Sequence, residues 1–147
     1  MENWQIVFLI HIMNYWWICI YYDNFYKNFI HLKDSIEGSI KNQLFVTLPF
    51  VYLFMNNYPI ENNNILLSVI LIPFLVIVAD FYFYITHRLA HKYLWFIHKY
   101  HHKGKNYAVK SLDAHMTEHL ICNLGSIVFG LYCFKYYNII INIYILY

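Results

Sequence analysis

Apolar residues gather in continuous runs in this chain, without the regular polar positions of water-facing helices or strands. Four such runs occupy residues 3–22, 44–58, 65–86 and 120–147. The first and third have about the 20 residues that a helix needs to cross a bilayer. A membrane β-barrel would require alternating polarity, which these runs lack. Because a membrane span must satisfy its own backbone hydrogen bonds, the pattern predicts an all-α integral membrane bundle with about four helical segments.

The four runs differ in how clearly they predict a span. The third contains a single charged residue, Asp80, near its end, whereas the second is short and contains Pro49. The second run therefore predicts a tilted span or one arm of a hairpin. The fourth, interrupted at Lys135 and Asn138, predicts a short helical hairpin or one long span. Residues 56–64 contain a proline and five asparagines and predict a turn.

The composition agrees with a chain that lipid covers in part. Hydrophobic residues make up 61% and charged residues 12% of the sequence, against about 25% charged in typical globular domains. Polar side chains are too few to cover a water-facing surface. The formal net charge of +2 gives no reason to expect a nucleic-acid partner. The length of 147 residues predicts one membrane domain over residues 1–147.

Lysine and arginine are unevenly distributed, which predicts an orientation in the membrane. Residues 23–43, which are expected to form the loop between the first two runs, hold three lysines. Residues 87–119 hold six basic residues, whereas residues 56–64 hold none. Basic segments beside membrane spans stay on the cytosolic side. We therefore expect both basic segments to face the cytosol and the asparagine-rich turn to lie on the opposite side.

Histidines are concentrated directly after the third apolar run. Seven of the nine histidines fall in three groups with the spacing of one helix face. The groups are His87 and His91; His98, His101 and His102; and His115 and His119. Neutral imidazole is a good ligand for iron, zinc, copper and nickel, so the groups predict a metal site at the membrane surface. The isolated His11 and His31 are expected to be ordinary hydrogen-bonded residues.

The spacing of these histidines sets a geometric condition on the chain. A straight helix from His87 to His102 would rise about 22 Å. That is too far for both ends to bind metals about 3.5–4 Å apart in a two-metal site. Two expectations follow: either the helix breaks between the two motifs, although no glycine or proline marks a position between His91 and His98, or helix packing brings other histidine groups to the site.

The stretch DFYFYITHRLAHKYLWFIHKYHH, residues 80–102, closely resembles the fatty acid hydroxylase / sterol desaturase superfamily of membrane di-iron enzymes. Its HxxxH motif corresponds to His87 and His91, and its HxxHH motif to the group from His98 to His102. The resemblance continues at residues 114–118, where the family usually has Ala-His-Pro-x-Glu and this chain has Met116 in place of the proline.

The resemblance implies a site and a reaction. It implies that the seven clustered histidines bind iron, with two ions expected and zinc possible as a substitute. Asp80 and Glu118 would be carboxylates that orient the ligands, although Asp80 could pair with Arg88 or Lys92 and Glu118 could cap a helix. The activity implied is O2-dependent hydroxylation or desaturation of a sterol or fatty acyl lipid. Electrons would come from cytochrome b5 or its reductase, and in a eukaryotic cell the enzyme would be a multi-pass protein of the endoplasmic reticulum membrane.

The family carries a further HxxHH motif downstream, and no histidine follows His119 in this chain. The chain is therefore expected to correspond to the N-terminal and central part of the family domain. This leaves open a catalytically inactive or split fragment that only binds metal or a partner chain, such as a separate C-terminal chain. A metal transporter or a bis-histidine haem protein is a weaker alternative, because transport ligands should lie within a span rather than after one.

Overall fold

The computed structural model describes residues 2–57, 65–103 and 107–136, and its elements in these ranges are helical. The α-helices are α1 (Asn3–Asp23), α2 (Phe25–Asn42), α3 (Leu48–Asn57), α4 (Ile65–Tyr93), α5 (Trp95–His98), α6 (Met116–Glu118) and α7 (Gly125–Tyr136). Two π-helical turns occupy Gln43–Thr47 and His119–Leu124, and a 3-10 turn occupies Ala108–Ser111. The described ranges contain no strand, which confirms the prediction of an all-α chain.

Among the described residues, two helices are long and apolar enough to cross a membrane. One is α1, Asn3–Asp23, with a mean hydropathy of 1.2. The other is the part of α4 over Val69–Tyr93, with a mean hydropathy of 2.2. Within the apolar 18-residue window of this part of α4, only 6% of the residues are buried, whereas the core helix of a soluble protein would be mostly buried. This apolar outer surface is what a lipid-facing helix requires.

The second and fourth apolar runs form shorter helices. The second becomes a π-helical turn followed by α3, and its Pro49 lies at the second position of α3. The Leu48 amide bonds to the carbonyl of Gln43, five residues back, beside a proline that has no amide hydrogen to donate. The described part of the fourth run forms a π-helical turn and α7. Residues 137–147 and most of the predicted 56–64 turn lie outside the described residues.

Residues 23–43, expected only as a connecting loop, form the helix α2. Asn24 turns the chain between α1 and α2 with a φ of 54°, a left-handed conformation that asparagine adopts more readily than most residues. The buried face of α2 includes Leu32 together with the polar Ser35, Ser39 and Asn42. The spacing of Phe25, Phe29, Leu32, Ile36 and Ile40 at every third or fourth residue is that of an amphipathic helix, so the expectation of a loop was wrong on the local pattern itself.

The helices pack around two small cores. Val7 and Phe8 of α1 meet Val51 and Met55 of α3. Towards the other end of α1, a second core consists of Cys19, Leu32 and Val109.

Helix α4 packs along α7. A Cβ atom at Gly130 would lie 2.8 Å from Leu75 Cδ1, so glycine permits this close approach. The contacts of this pairing at Leu75, Ala79 and Tyr82 lie one to three turns before His87 on the same helix.

Candidate metal centre

A break in the helix at Leu94 folds the second histidine group back onto the first. Helix α4 ends at Tyr93, Leu94 has φ −122° and ψ 29°, and α5 begins at Trp95. The ring centroid of His98 consequently lies 4.5 Å from that of His87 and 4.2 Å from that of His91. The first of the two expectations, a break between His91 and His98, is thus confirmed.

Five imidazoles meet at this break. The ring centroid of His102 lies 4.7 Å from those of both His91 and His98, and the centroid of His101 lies 4.5 Å from that of His98. Within the described residues, two groups have candidate ligand atoms that all lie within 4.8 Å of one another. These groups are His87, His91, His98 and His102, and His87, His98, His101 and Glu118. Because the groups share His87 and His98, they form one continuous cluster.

Glu118 joins the cluster from α6. His98 Nδ1 donates a hydrogen bond of 2.6 Å to Glu118 Oε1, and His101 Nδ1 lies 3.1 Å from the same oxygen. Burial alone would raise the pKa of Glu118, but His101 and His98 hold that pKa below its usual value. Glu118 is therefore a carboxylate. The other oxygen, Oε2, is buried and has no hydrogen-bond partner among the described residues.

His98 is fully buried and presents its second nitrogen to the cluster. Burial lowers the pKa of His98, against the opposing effect of Glu118. A neutral ring that donates from Nδ1 keeps a lone pair on Nε2. His98 Nε2 lies 2.9 Å from His102 Nε2. When both rings are neutral and no ion is bound, one of these two nitrogens must donate a hydrogen to the other. If a cation lay between them, both nitrogens could instead bind it through their lone pairs.

The residues fit a bound metal ion. A divalent cation held by His87, His98 and His101 would give the unpartnered Glu118 Oε2 a partner. One held by His87, His91, His98 and His102 would accept lone pairs from the two facing Nε2 atoms. In a tetrahedral site with bonds of about 2.0–2.1 Å, ligand atoms stand about 3.3 Å apart. The present separations of up to 4.8 Å need only small side-chain rotations to reach that geometry.

The third predicted histidine pair lies outside this cluster. His115 is exposed, precedes α6 as its N-cap with φ −62° and ψ 140°, and places Nδ1 2.8 Å from Thr117 Oγ1. His119 is fully buried between Thr47 Oγ1, at 2.8 Å from Nε2, and Asn123 Nδ2, at 3.0 Å from Nδ1. The two rings do not share a helix face, because the backbone of His115 is extended. Burial, followed by the charge of nearby His11, lowers the pKa of His119 to about 4.

Asp80, the other predicted carboxylate, is exposed on α4 about two turns before His87. In the described part of the chain it makes no hydrogen bond to an imidazole or to Arg88. Arg88 instead donates a 2.6 Å hydrogen bond to the hydroxyl of Tyr84. Glu118, rather than Asp80, is the carboxylate in contact with the histidines, and an orienting role for Asp80 stays a prediction.

A cavity of about 180 Å³ adjoins the cluster. His98 and Glu118 are among its lining residues, and most of the remaining wall is apolar, including Ala90, Leu94 and Ile121. For comparison, an engineered apolar cavity of about 150 Å³ holds a benzene molecule. The cavity therefore has room for a short piece of hydrocarbon beside His98.

Comparison with known proteins gives two matches. A family model described as fatty acid hydroxylase matches residues 72–147, just over half of the chain. A putative methylsterol monooxygenase of Dictyostelium discoideum is 30% identical over 101 residues, which cover 60% of this chain and 37% of that protein. The chain thus spans little more than a third of the length of this relative. No solved structure matches the chain.

Proposed function

This chain belongs to the fatty acid hydroxylase / sterol desaturase superfamily, and we propose that it contributes the metal site of an integral-membrane, O2-dependent lipid hydroxylase or desaturase. The observation that carries the proposal is the buried hydrogen bond between His98 and Glu118, which lies where the imidazole cluster meets an apolar cavity. A carboxylate that accepts a hydrogen bond from one ring nitrogen of a histidine fixes the tautomer and the ring orientation, so that the other nitrogen can bind a metal.

Iron is the metal we propose, with zinc as a substitute taken up in its place. Either of two sets of four residues would hold it: His87, His91, His98 and His102, or His87, His98, His101 and Glu118. Bound iron would supply the redox chemistry with O2 that no side chain of this cluster can provide. Because the two ligand groups share His87 and His98, they can complete only one four-ligand position at a time. The second ion implied by the family would need further donors, for which His115, His119 and a separate chain are the candidates.

The residues around the metal would bind and orient the lipid. Leu89 and Ile121 line the cavity and are exposed, so a hydrocarbon could enter from the surrounding lipid. The cavity holds only part of a sterol or acyl chain, and its apolar wall would exclude water from the carbon next to His98. The name of the Dictyostelium relative favours a methylsterol substrate, and the family description favours a fatty acyl substrate.

The basic residues beside the cluster fit a cytosolic electron donor. Arg88, Lys92, Lys99 and Lys103 are exposed on α4 and on the segment that follows α5. We propose that this surface meets an acidic face of cytochrome b5 or its reductase at the endoplasmic reticulum membrane. Such charge pairs mainly raise the rate of association and weaken at high salt.

Reconstitution tests the proposal. The chain, loaded with Fe²⁺ in lipid nanodiscs, would be given O2, NADH, cytochrome b5 and its reductase, with a fatty acyl lipid or a methylsterol as substrate. The chain alone should give little product, because it completes only one four-ligand position at a time. When a separate segment carrying the further HxxHH motif of a related enzyme is added, mass spectrometry should detect a product with one added oxygen or with two hydrogens removed, and His98→Ala should abolish it. An absence of product with both substrates, while iron is bound, would favour a metal-binding fragment without activity of its own.

A further inference from the structure

A buried carboxylate at the α1–α2 junction holds the segment that leads to Glu118. Asp23 accepts hydrogen bonds from the amides of Ala108, at 2.6 Å, and Val109, at 2.7 Å, one on each carboxylate oxygen. Only 4% of Asp23 is exposed. Hydrogen bonds from backbone amides to a buried charged group are among the stronger ones in proteins.

Other side chains of α1 and α2 form hydrogen bonds with the same segment. The hydroxyls of Tyr15 and Ser39 each donate a 2.7 Å hydrogen bond to the carbonyl of Val109. Asn42 donates to the carbonyls of Leu112 and Ala114. We call residues 108–114 the bridging segment, because they connect the HxxHH group to α6.

The bridging segment also packs closely against α2. At Gly38 a Cβ atom would overlap the carboxylate of Asp113. Only a residue without a side chain lets the segment approach α2 this closely, and any larger residue would push Asp113 away.

Glu118 is thereby held on both sides. Four residues before it, Ala114 is tied to Asn42. One residue after it, His119 lies 2.8 Å from Thr47 in the turn that follows α2. Residues 3–57, which supply these anchors, precede the region that the family model matches.

We propose that Asp23 is a positioning residue for the metal cluster: it fixes the bridging segment and, through that segment, holds Glu118 against His98 and His101. The inference rests on the proposed metal site. It gives α1 and α2 a role beyond membrane anchoring, since they set the position of a carboxylate about 20 residues from the HxxHH group in sequence.

Metal affinity gives the first test. The full chain in detergent would be titrated with Co²⁺ against a competing chelator, since visible absorption by Co²⁺ reports the geometry of its ligands. Asp23→Asn should weaken binding about 10-fold, the lower end of the range for residues that orient a ligand, and should change the spectrum. Gly38→Ala should do the same by displacing Asp113. Asp34→Asn, the same chemical change at an exposed position of α2, should alter neither.

A double-mutant cycle separates positioning from general stabilisation. If Asp23 acts through Glu118, the variant with both Asp23→Asn and Glu118→Gln should bind Co²⁺ no more weakly than Glu118→Gln alone. Losses in affinity that add up in the double variant would overturn the proposal. So would a Co²⁺ affinity and spectrum of Asp23→Asn equal to those of the unaltered chain.

Two controls separate this proposal from its premise and from misfolding. If His98→Ala and Glu118→Gln leave Co²⁺ binding unchanged, it is the proposed metal site that fails. If those variants lose Co²⁺ and Asp23→Asn does not, only the role of Asp23 fails. Hydrogen exchange should show faster exchange in Asp23→Asn at the amides of Ala108 and Val109 with α4 still protected. Loss of protection throughout the chain would instead make Asp23 a general stability residue.

Discussion

His98 Nδ1 and Glu118 Oε1 are 2.6 Å apart, and this hydrogen bond joins residues that are 20 positions apart in the sequence. Both side chains are almost wholly buried. The bond sets which nitrogen of His98 carries the proton, and it turns Nε2 towards His102. It also connects the two parts of the site, α5 and α6, which the 103–115 region separates.

Replacement of Glu118 should weaken metal binding without removing an imidazole. Glu118→Gln removes the negative charge and one acceptor oxygen, so the orientation of His98 is lost. We expect a 10- to 100-fold loss in affinity, the usual range for groups that orient a metal ligand. Competition between the protein and a coloured chelator for Zn²⁺ would measure this loss.

Glu37→Gln is the matched control, because Glu37 is exposed on α2 and pairs only with Lys41 among the contacts described for it. Its affinity for Zn²⁺ should equal that of the unaltered chain. Equal affinities in Glu118→Gln and Glu37→Gln would mean that the carboxylate in the cluster plays no part in metal binding.

The position of His119 predicts a stability effect. Both ring nitrogens of His119 are engaged, by Thr47 and Asn123, so His119→Ala would leave a cavity and unpaired polar groups. We expect a loss of about 2–4 kcal/mol in unfolding free energy. The metal content measured at a temperature where the variant is folded should not change. Loss of metal from folded His119→Ala, matching the loss in His98→Ala, would mean that His119 is already a ligand in this chain.

The helical class and the imidazole cluster could be predicted because they depend on local spacing. A long apolar run favours a membrane helix, and histidines at i and i+4 lie on one face of any helix. Distance alone allowed either a break between His91 and His98 or the approach of other histidine groups, and the structure has the break. Its position at Leu94 did not follow from the sequence, because no glycine or proline marks it.

The apolar spacing of residues 25–42 already favours a helix, so only the burial of polar side chains on it depends on distant contacts. Residues 25–42 form a helix whose buried Ser39 and Asn42 are satisfied by a segment 70 residues away. A local pattern cannot indicate that these polar positions are buried. Likewise, the pairing of His115 with His119 assumed a helix through both, whereas His115 caps α6 with an extended backbone.

Filling the cavity should reduce turnover without affecting the metal. Ala90 is 4% exposed and forms part of the cavity wall. A phenylalanine at this position would occupy space that the proposed substrate needs. Lipid oxidation by Ala90→Phe should fall at least about 10-fold, as expected when the reacting carbon is displaced by about 1 Å, while iron content stays constant. Ile85→Phe, which places the same side chain on an exposed position of α4, should keep its activity. Equal activity in both variants would mean that the substrate does not enter this cavity.

The orientation of the chain is the last prediction. Ser39 and Asn42, near the end of α2 that carries Lys41, bond to the bridging segment, so the two basic regions lie at the same end of the bundle. The excess of lysine and arginine should keep that end in the cytosol. In sealed vesicles of known orientation, a cysteine introduced by Lys103→Cys should react with a membrane-impermeant maleimide only from the cytosolic face. One introduced by Asn62→Cys should react only from the opposite face.

Both variants would carry Cys19→Ala, Cys122→Ala and Cys133→Ala, so that only the new thiol can react. Labelling of Asn62→Cys from the cytosol would contradict the orientation, because α4 would then have to begin and end on the same side.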